Sequence, residues 1–554
     1  MSDLTPRGLT PRSLTPYDLT PRDPALRRLT PRGPAPRGLG PCGLTPRGLT
    51  PCDLTQCGPA RCALTPSDLT PRDLTPRGLT PRDLTQRNLA QCGLTPHGPA
   101  PRDLVSRGLT PCDLAPHRLT PCGLVARVSI AVFACAGIAG CQSMFHGDAA
   151  HTGVYAGPGP RQFHRVKWKF ATGDRVVSSP VWSGGSIYFG SDDNNVYSVD
   201  AESGAQKWMF RTRGPVPSTP AVAGGVVYFG SYDGSFYALD AQTGRLKWRF
   251  ATGGERRFEA KGLHGMQPKN QTMADPYDVY LSSPVVAQGA VYFGSGDGSV
   301  YALDAASGEL RWKFATGDVV HASPAYASGA LYFGSWDSYF YAVDAATGKE
   351  KWRFHGGEDA AIHNQVGFQS SPAVVDGVVY TGCRDSNVYA LDAATGEEKW
   401  RFNNSGSWVN STPAVIDGKV LFATSDTSMF HIADANTGKP LVKRQLKAYV
   451  FGSPAVAGGV AYLGVLNGTL EARDLTTGEL LWEFQTEASR QNRDWALTAE
   501  RKFNSAMTFT SSWREAMVTG LNLQNSVGPF YSSPLIVNGV LYVGSGDGYL
   551  YALE

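Results

Sequence analysis

Apolar and polar positions along the second half of the chain recur in short, similar phrases. Residues 323–354 read SPAYASGALYFGSWDSYFYAVDAATGKEKWRF, and residues 371–402 read SPAVVDGVVYTGCRDSNVYALDAATGEEKWRF. Aligned on a Ser/Thr-Pro pair, eight copies begin at Ser179, Thr219, Ser283, Ser323, Ser371, Thr412, Ser453 and Ser533. Each complete copy carries four short runs rich in β-branched and aromatic residues with a period near two. In the third these are SPVVAQ, AVYFGS, SVYALDA and LRWKFAT, parted by the turn signals QG, GDG and ASG. Four strands of about five residues joined by tight turns make one antiparallel meander, and a repeat near 40 residues makes a ring or a solenoid of them. The fold this predicts is all-β, an eight-bladed β-propeller of four-stranded antiparallel blades.

Repeated residues have mechanical explanations. Pro opens a first strand, where a missing N–H is tolerated. Asp200, Asp240, Asp304, Asp344 and Asp392 are placed to cap the turn before the fourth strand, so this recurring Asp is structural rather than catalytic. On the fourth strand Trp208, Trp248, Trp312, Trp352, Trp400 and Trp482 recur, each large enough to fill the wedge between blades; the sixth copy has Val442 there, a position expected to pack less tightly. The eighth copy stops at YALE, before its fourth strand, whereas Val166–Phe170 matches a fourth strand ahead of the first copy. The N-terminal strand, with Trp168, is therefore predicted to complete blade eight and close the ring, leaving no open edge.

Residues 1–124 follow a different pattern. Leu, its place sometimes taken by Pro, recurs at every fifth position from Leu4, with Pro and Arg beside it. Pro once per pentad removes a ladder donor, which argues against a β-solenoid and leaves two readings: a disordered low-complexity tract, or a DNA repeat translated upstream of the true start. Residues 125–140 then carry Arg127, an apolar run from Val128 to Ala136 and small residues leading to Cys141, the order of a secretory signal. The run is too short to span a bilayer permanently. Ile138-Ala139-Gly140-Cys141 resembles the bacterial lipobox, which implies lipidation of Cys141, a tether over 141–161 and a propeller over 162–554.

Composition and charge adjust this picture only slightly. The 554 residues hold 63 Gly and 38 Pro, in keeping with many turns. The net charge of +3 divides into +8 up to Cys141 and −5 beyond it, so the folded part is mildly acidic and carries no basic stripe for nucleic acid. Only Cys383 follows Cys141, which excludes a disulfide inside the propeller; in YTGCRDS it takes the place of a small packing residue. No P-loop, HExxH, GxSxG or zinc-type cysteine spacing occurs.

Extra sequence falls in three places, all between the fourth strand of one blade and the first of the next: 255–281, 355–369 and 487–531. In a meander these connections emerge on one face, which is where a recognition surface is expected. Its candidate members are His264, Lys269 and Asp278, then His363 and Asn364 beside Glu358, then Arg514 and Glu515, with Arg257 and Lys261 in the first insertion. His264 and His363 without a third ligand favour loop packing over a metal site. Residues 494–507 are expected to form a short amphipathic helix packed through Trp495, Phe503 and Met507.

With its AxDAxTGxxxW repeats and the opening sequence FHGDAAHTGVY, the span 145–554 resembles the pyrroloquinoline-quinone-like (PQQ-like) β-propeller family. The family includes quinoprotein dehydrogenases and non-catalytic lipoproteins similar to BamB, the propeller of the outer-membrane β-barrel assembly machine. The dehydrogenase branch implies a vicinal Cys-Cys, a calcium or lanthanide site of Glu, Asn and Asp, an Asp base and often CxxCH; this chain has neither cysteine motif and no recognisable carboxylate site. The resemblance therefore implies a monomeric, lipid-anchored periplasmic scaffold at the outer membrane. Its expected partners are envelope proteins, outer-membrane assembly components among them, and no cofactor is expected. The alternative is an oxidoreductase using PQQ and calcium.

Overall fold

The Ser/Thr-Pro phrases do start inner strands, and the four runs of each copy do form one sheet. A computed structural model describes residues 142–357, 367–508 and 512–554, all in one compact unit. The pentad tract, the signal segment, Cys141, Glu358, His363 and Asn364 lie outside the described residues. Eight four-stranded sheets are ordered inner to outer, the first being Val181–Ser183, Ser186–Gly190, Asn195–Asp200 and Gln206–Arg211. Blade eight is Leu535–Val537, Val540–Gly544 and Tyr549–Leu553, and its outer strand is Val166–Ala171. Trp168 pairs with Ala552 and Lys169 with Tyr551, so the first strand closes the ring as expected.

Period-two alternation survives only on outer strands, such as Leu246–Ala251, where Trp248 and Phe250 are half-buried and Arg249 and Ala251 exposed. Middle strands such as Ala290–Ser295 are buried throughout. Each middle strand lies between two neighbouring blades, so both of its faces are covered.

Trp residues of the outer strands stitch one blade to the next. The indole N–H of Trp208 donates to the Ala241 carbonyl at 2.9 Å, that of Trp312 to Ala345 at 3.0 Å, and that of Trp352 to Ala393 at 3.1 Å. The same rings lie flat against the glycine that ends the next blade's third-to-fourth-strand turn, and a Cβ on Gly348 would sit 2.6 Å from the Trp312 ring. At the sixth blade Val442 meets Gly478, and Arg444 lies alongside, donating to the Thr477 carbonyl at 2.6 Å. The wedge there is filled by two side chains instead of one.

Both mouths of the channel are covered. On the face of the first-to-second-strand turns, residues 142–155 do not form the free tether expected from the sequence. The carbonyls of Gln142, Ser143, Ala149, Ala150, Thr152 and Gly153 accept from Trp182, Val222, Tyr326, Val374, Val415 and Val456, the second residue of six inner strands. Buried His146 and His151 hold this segment through the carbonyls of Pro454 and Pro372. The opposite mouth lies under the insertions. The first forms a hairpin, Glu259–Lys261 with Thr272–Ala274, and the third holds helices α1 (Glu487–Gln491), α2 (Arg493–Ala496) and α3 (Trp513–Asn525).

Candidate functional site: the insertion face and the axis beneath it

Around the axis the Ser/Thr of each phrase does more than precede a proline. The Ser179 N–H donates to the Thr219 hydroxyl at 3.0 Å, Thr219 to Ser283 at 3.1 Å, Ser283 to Ser323 at 2.9 Å and Ser323 to Ser371 at 2.8 Å. Further round, Thr412 donates to Ser453, Ser453 to Ser533, and Ser533 back to Ser179. The small hydroxyl residue thus joins blade to blade at seven of the eight junctions at the innermost radius. These residues, with Phe145 from the N-terminal segment and His321, Gln369, Asn410 and Phe451, line an axial cavity with room for water-sized occupants over about 30 Å³.

Directly beyond the ring the first insertion folds inward. The Phe258 N–H donates to Asp278 Oδ2 at 2.8 Å, and Asp278 Oδ1 takes His321 Nδ1 at 2.7 Å. His321 Nε2 faces Glu255 at 3.5 Å, and Glu255 also accepts from the Ser295 hydroxyl at 2.7 Å. Burial alone would depress His321, but Asp278 and Glu255 outweigh it and raise its pKa to about 9, so the imidazolium is the resident form at neutral pH.

Arg384 occupies the second buried centre. Its guanidinium lies 4.2 Å from the ring centroid of Trp336 and 4.1 Å from that of Trp408, a cation between two indoles. Its edge bonds Asp275 Oδ2 at 2.5 Å and the Gln369 side-chain carbonyl at 2.7 and 3.0 Å, and Gln369 in turn donates to the Tyr277 carbonyl. Arg384 is 1% exposed and Asp275 0%. A charge pair this deep costs desolvation that only close geometry offsets. Phe258 stacks on Trp336 at 4.4 Å and extends the pile into the insertion.

Two of the sequence-predicted recognition residues therefore belong to the interior. The His264 side chain is 1% exposed between Tyr277 and Trp408, and burial together with Arg384 lowers its pKa to about 2. Asp278 is fully buried on His321. Lys269 and Glu515 are exposed on the insertion face, and Arg514 stands beside Glu515 at the start of α3. The first and third insertions do share a face, because Met273, Tyr277, Val279 and Tyr280 of one pack in a single cluster with Phe503, Met517 and Leu521 of the other. The expected helix over 494–507 is not formed: α2 ends at Ala496, and Trp495 and Met507 are 42% and 44% exposed, while Phe503 alone packs. The long helix lies further on, where Ser512 accepts from the Glu515 N–H. Ser-Trp-Arg-Glu is a capping-box spacing that announces it.

Arg384 and Trp336 went unnoticed in sequence although both stand in the quoted phrases. Each occupies the variable middle place of a small residue-x-Asp triplet (Ser335-Trp336-Asp337, Cys383-Arg384-Asp385), the turn between second and third strands, where other blades have Asp192, Tyr232 or Gly296. Cys383 beside it is buried as expected, its thiol pushed well up by burial.

A family model described as outer membrane protein assembly factor BamB matches residues 161–263, 271–401 and 384–525. The chain belongs to this PQQ-like propeller family. Comparison with curated proteins gives no match. Among solved structures, BamB from Moraxella catarrhalis is similar with 16% identity over 70% of this chain and 99% of that one, TM-score 0.52. A europium-containing methanol dehydrogenase shares 15% identity over 75% and 98%, TM-score 0.54. The computationally designed Ika8 protein shares 14% over 69% and 96%, TM-score 0.50. An assembly factor, an enzyme and a designed protein on one scaffold show that the likeness speaks for the fold alone.

A tricyclic quinone needs a slot of several hundred Å³, on the order of other small-molecule sites. The axial cavity among the described residues is far smaller, and the stacked place between Trp336 and Trp408 is taken by Arg384. No group of three His, Cys, Asp or Glu among the described residues is placed to hold a metal ion. The described residues do not fit PQQ with calcium on the axis.

Proposed function

We infer that this protein is a lipid-anchored envelope scaffold that binds other proteins through its insertion face, in the service of outer-membrane protein assembly. One observation carries the reading: the first and third insertions build a common core over the channel mouth and leave side chains of mixed chemistry outside it. Lys269, Glu515, Trp495 and Met507 are exposed there. Aromatic, thioether and charged groups over a rigid base suit a protein partner. The family match to an outer-membrane assembly factor supports the same direction. The quinoprotein alternative has the shared fold behind it, while the axial cavity among the described residues is too small for the quinone.

Site-specific photocrosslinkers at Lys269 and Trp495, with Gln242 on the opposite face as control, test the reading in cells. Adducts to a defined envelope protein from the first two positions, lost in a Lys269→Glu, Trp495→Ala, Met507→Ala variant of unchanged melting temperature, are expected. Equal crosslinking from Gln242, or adducts that persist in the triple variant, would overturn it.

A further inference from the structure

We propose that the propeller lies flat on the lipid bilayer through the face opposite the insertions, with its axis along the membrane normal. This deepens the scaffold reading and rests on the lipid anchor at Cys141. The geometry begins one residue later. The Gln142 carbonyl accepts from Trp182 N–H at 2.9 Å and Ser143 from Val222 at 2.7 Å, and both residues are buried. Trp182 stands two residues before the turn Gly184-Gly185 that joins the first strand to the second. From there the chain touches six inner strands around the channel mouth, so it enters the disc at the axis and on the turn face. It then runs outward, where the Pro160 carbonyl takes the Trp482 indole N–H at 2.8 Å before the strand at Val166 begins.

Neighbouring Cα atoms are about 3.8 Å apart, whereas a flexible tether of 20 residues would span roughly 25 Å. An anchor at 141 therefore has no slack, and acyl chains leaving the centre of a disc bring that face to the headgroups.

The face itself is suited to lying flat. All eight first-to-second-strand turns have two residues, between Ser183 and Ser186 in blade one and Val537 and Val540 in blade eight. The seven third-to-fourth-strand turns on the same side each have five residues, as from Asp200 to Gln206. The described residues of the long insertions are on the other side. Cations near these turns are matched locally, Lys207 with Asp200 at 3.1 Å and Arg311 with Asp304 at 2.7 Å. Leu246, Leu310, Leu441 and Leu480 are exposed at the start of the outer strands beside these turns, spaced around the rim, and the position of the anchor sets which face meets the bilayer.

The full chain is expressed with its own signal and extracted from membranes, and its intact mass is measured. The product is placed in vesicles of phosphatidylethanolamine and phosphatidylglycerol carrying a headgroup nitroxide. Fluorophores are attached at Gln242→Cys, on a turn of the proposed contact face, or at Lys269→Cys on the insertion face. Quenching several-fold stronger at 242 than at 269 is expected, with the difference removed by a 20-residue Gly/Ser linker inserted between Cys141 and Gln142. A diacylated protein whose two labels are quenched equally overturns the orientation while leaving the anchor intact. A mass without acyl chains overturns the anchor, and the orientation with it.

Discussion

The ion pair of Arg384 and Asp275 is the most demanding contact in the molecule, since both side chains have left water and each depends on the other. Arg384→Ala strands a buried carboxylate and is expected to cost about 3–5 kcal/mol. The double variant Arg384→Met, Asp275→Leu should recover most of that in urea denaturation. His321 gives a pH signature. Its folded pKa of about 9 stands above the free value of 6.5, so its contribution is fully present below pH 6.5 and is lost as pH rises through 9. Denaturation midpoints measured from pH 6 to 10 should fall across that window in the parent and much less in His321→Gln. Gly348 and Gly377 separate two effects that a repeat confounds. Both have positive φ, 69° and 75°, but a Cβ on Gly348 meets the Trp312 ring and one on Gly377 meets nothing within 4 Å. Gly377→Ala is expected to cost about 1–2 kcal/mol for backbone strain alone, and Gly348→Ala about 1–3 kcal/mol more for the clash.

At the scale of elements, the ring depends on a strand far in sequence from its blade. Trp168 is half-buried, packs tilted against Tyr542 with ring centroids 5.6 Å apart and donates to the Ala201 carbonyl at 3.1 Å, joining blade eight to blade one. Trp168→Ala should cost about 2–3 kcal/mol, less than a fully enclosed tryptophan, seen as a lower melting temperature with unchanged far-ultraviolet circular dichroism. The strand was legible because the last copy lacks what the first residues supply. The third insertion was not read correctly, because Trp495 and Met507 look like a packed face by spacing alone. Apolar periodicity identifies a buried face only when a surface exists to receive it, and here just Phe503 has one. The capping spacing at Ser512 was a local signal, and local signals are the kind that survive without a tertiary structure.

At the scale of the whole molecule, the three insertions leave the same edge of their blades because a meander returns its chain to that edge each time. The first and third then merge into one core. The result is a disc with a sculpted face and a plain one, each with its channel mouth covered, which is the asymmetry that the proposed scaffold, held against one surface and facing another, requires.

Blade number, strand order and the inter-blade tryptophans were determined by the sequence itself, because each is written several times over and rests on contacts within a copy or between adjacent copies; ring closure was legible because the strand that the last copy lacks stands ahead of the first. The buried centre was decided only by the tertiary structure. Glu255, Asp275 and Asp278 come from one insertion, His321 from the approach to blade four, Trp336 and Arg384 from the turns of blades four and five, and Trp408 from the approach to blade six. Trp336 and Arg384 share one repeat position, but no spacing rule ties them to the insertion or to the approaches to blades four and six, so the meeting follows from the curvature that brings successive blades around one axis. The same curvature turned residues 142–155 from an expected tether into a seal, since their partners are the inner strands of six blades that exist as a ring only after the chain has closed.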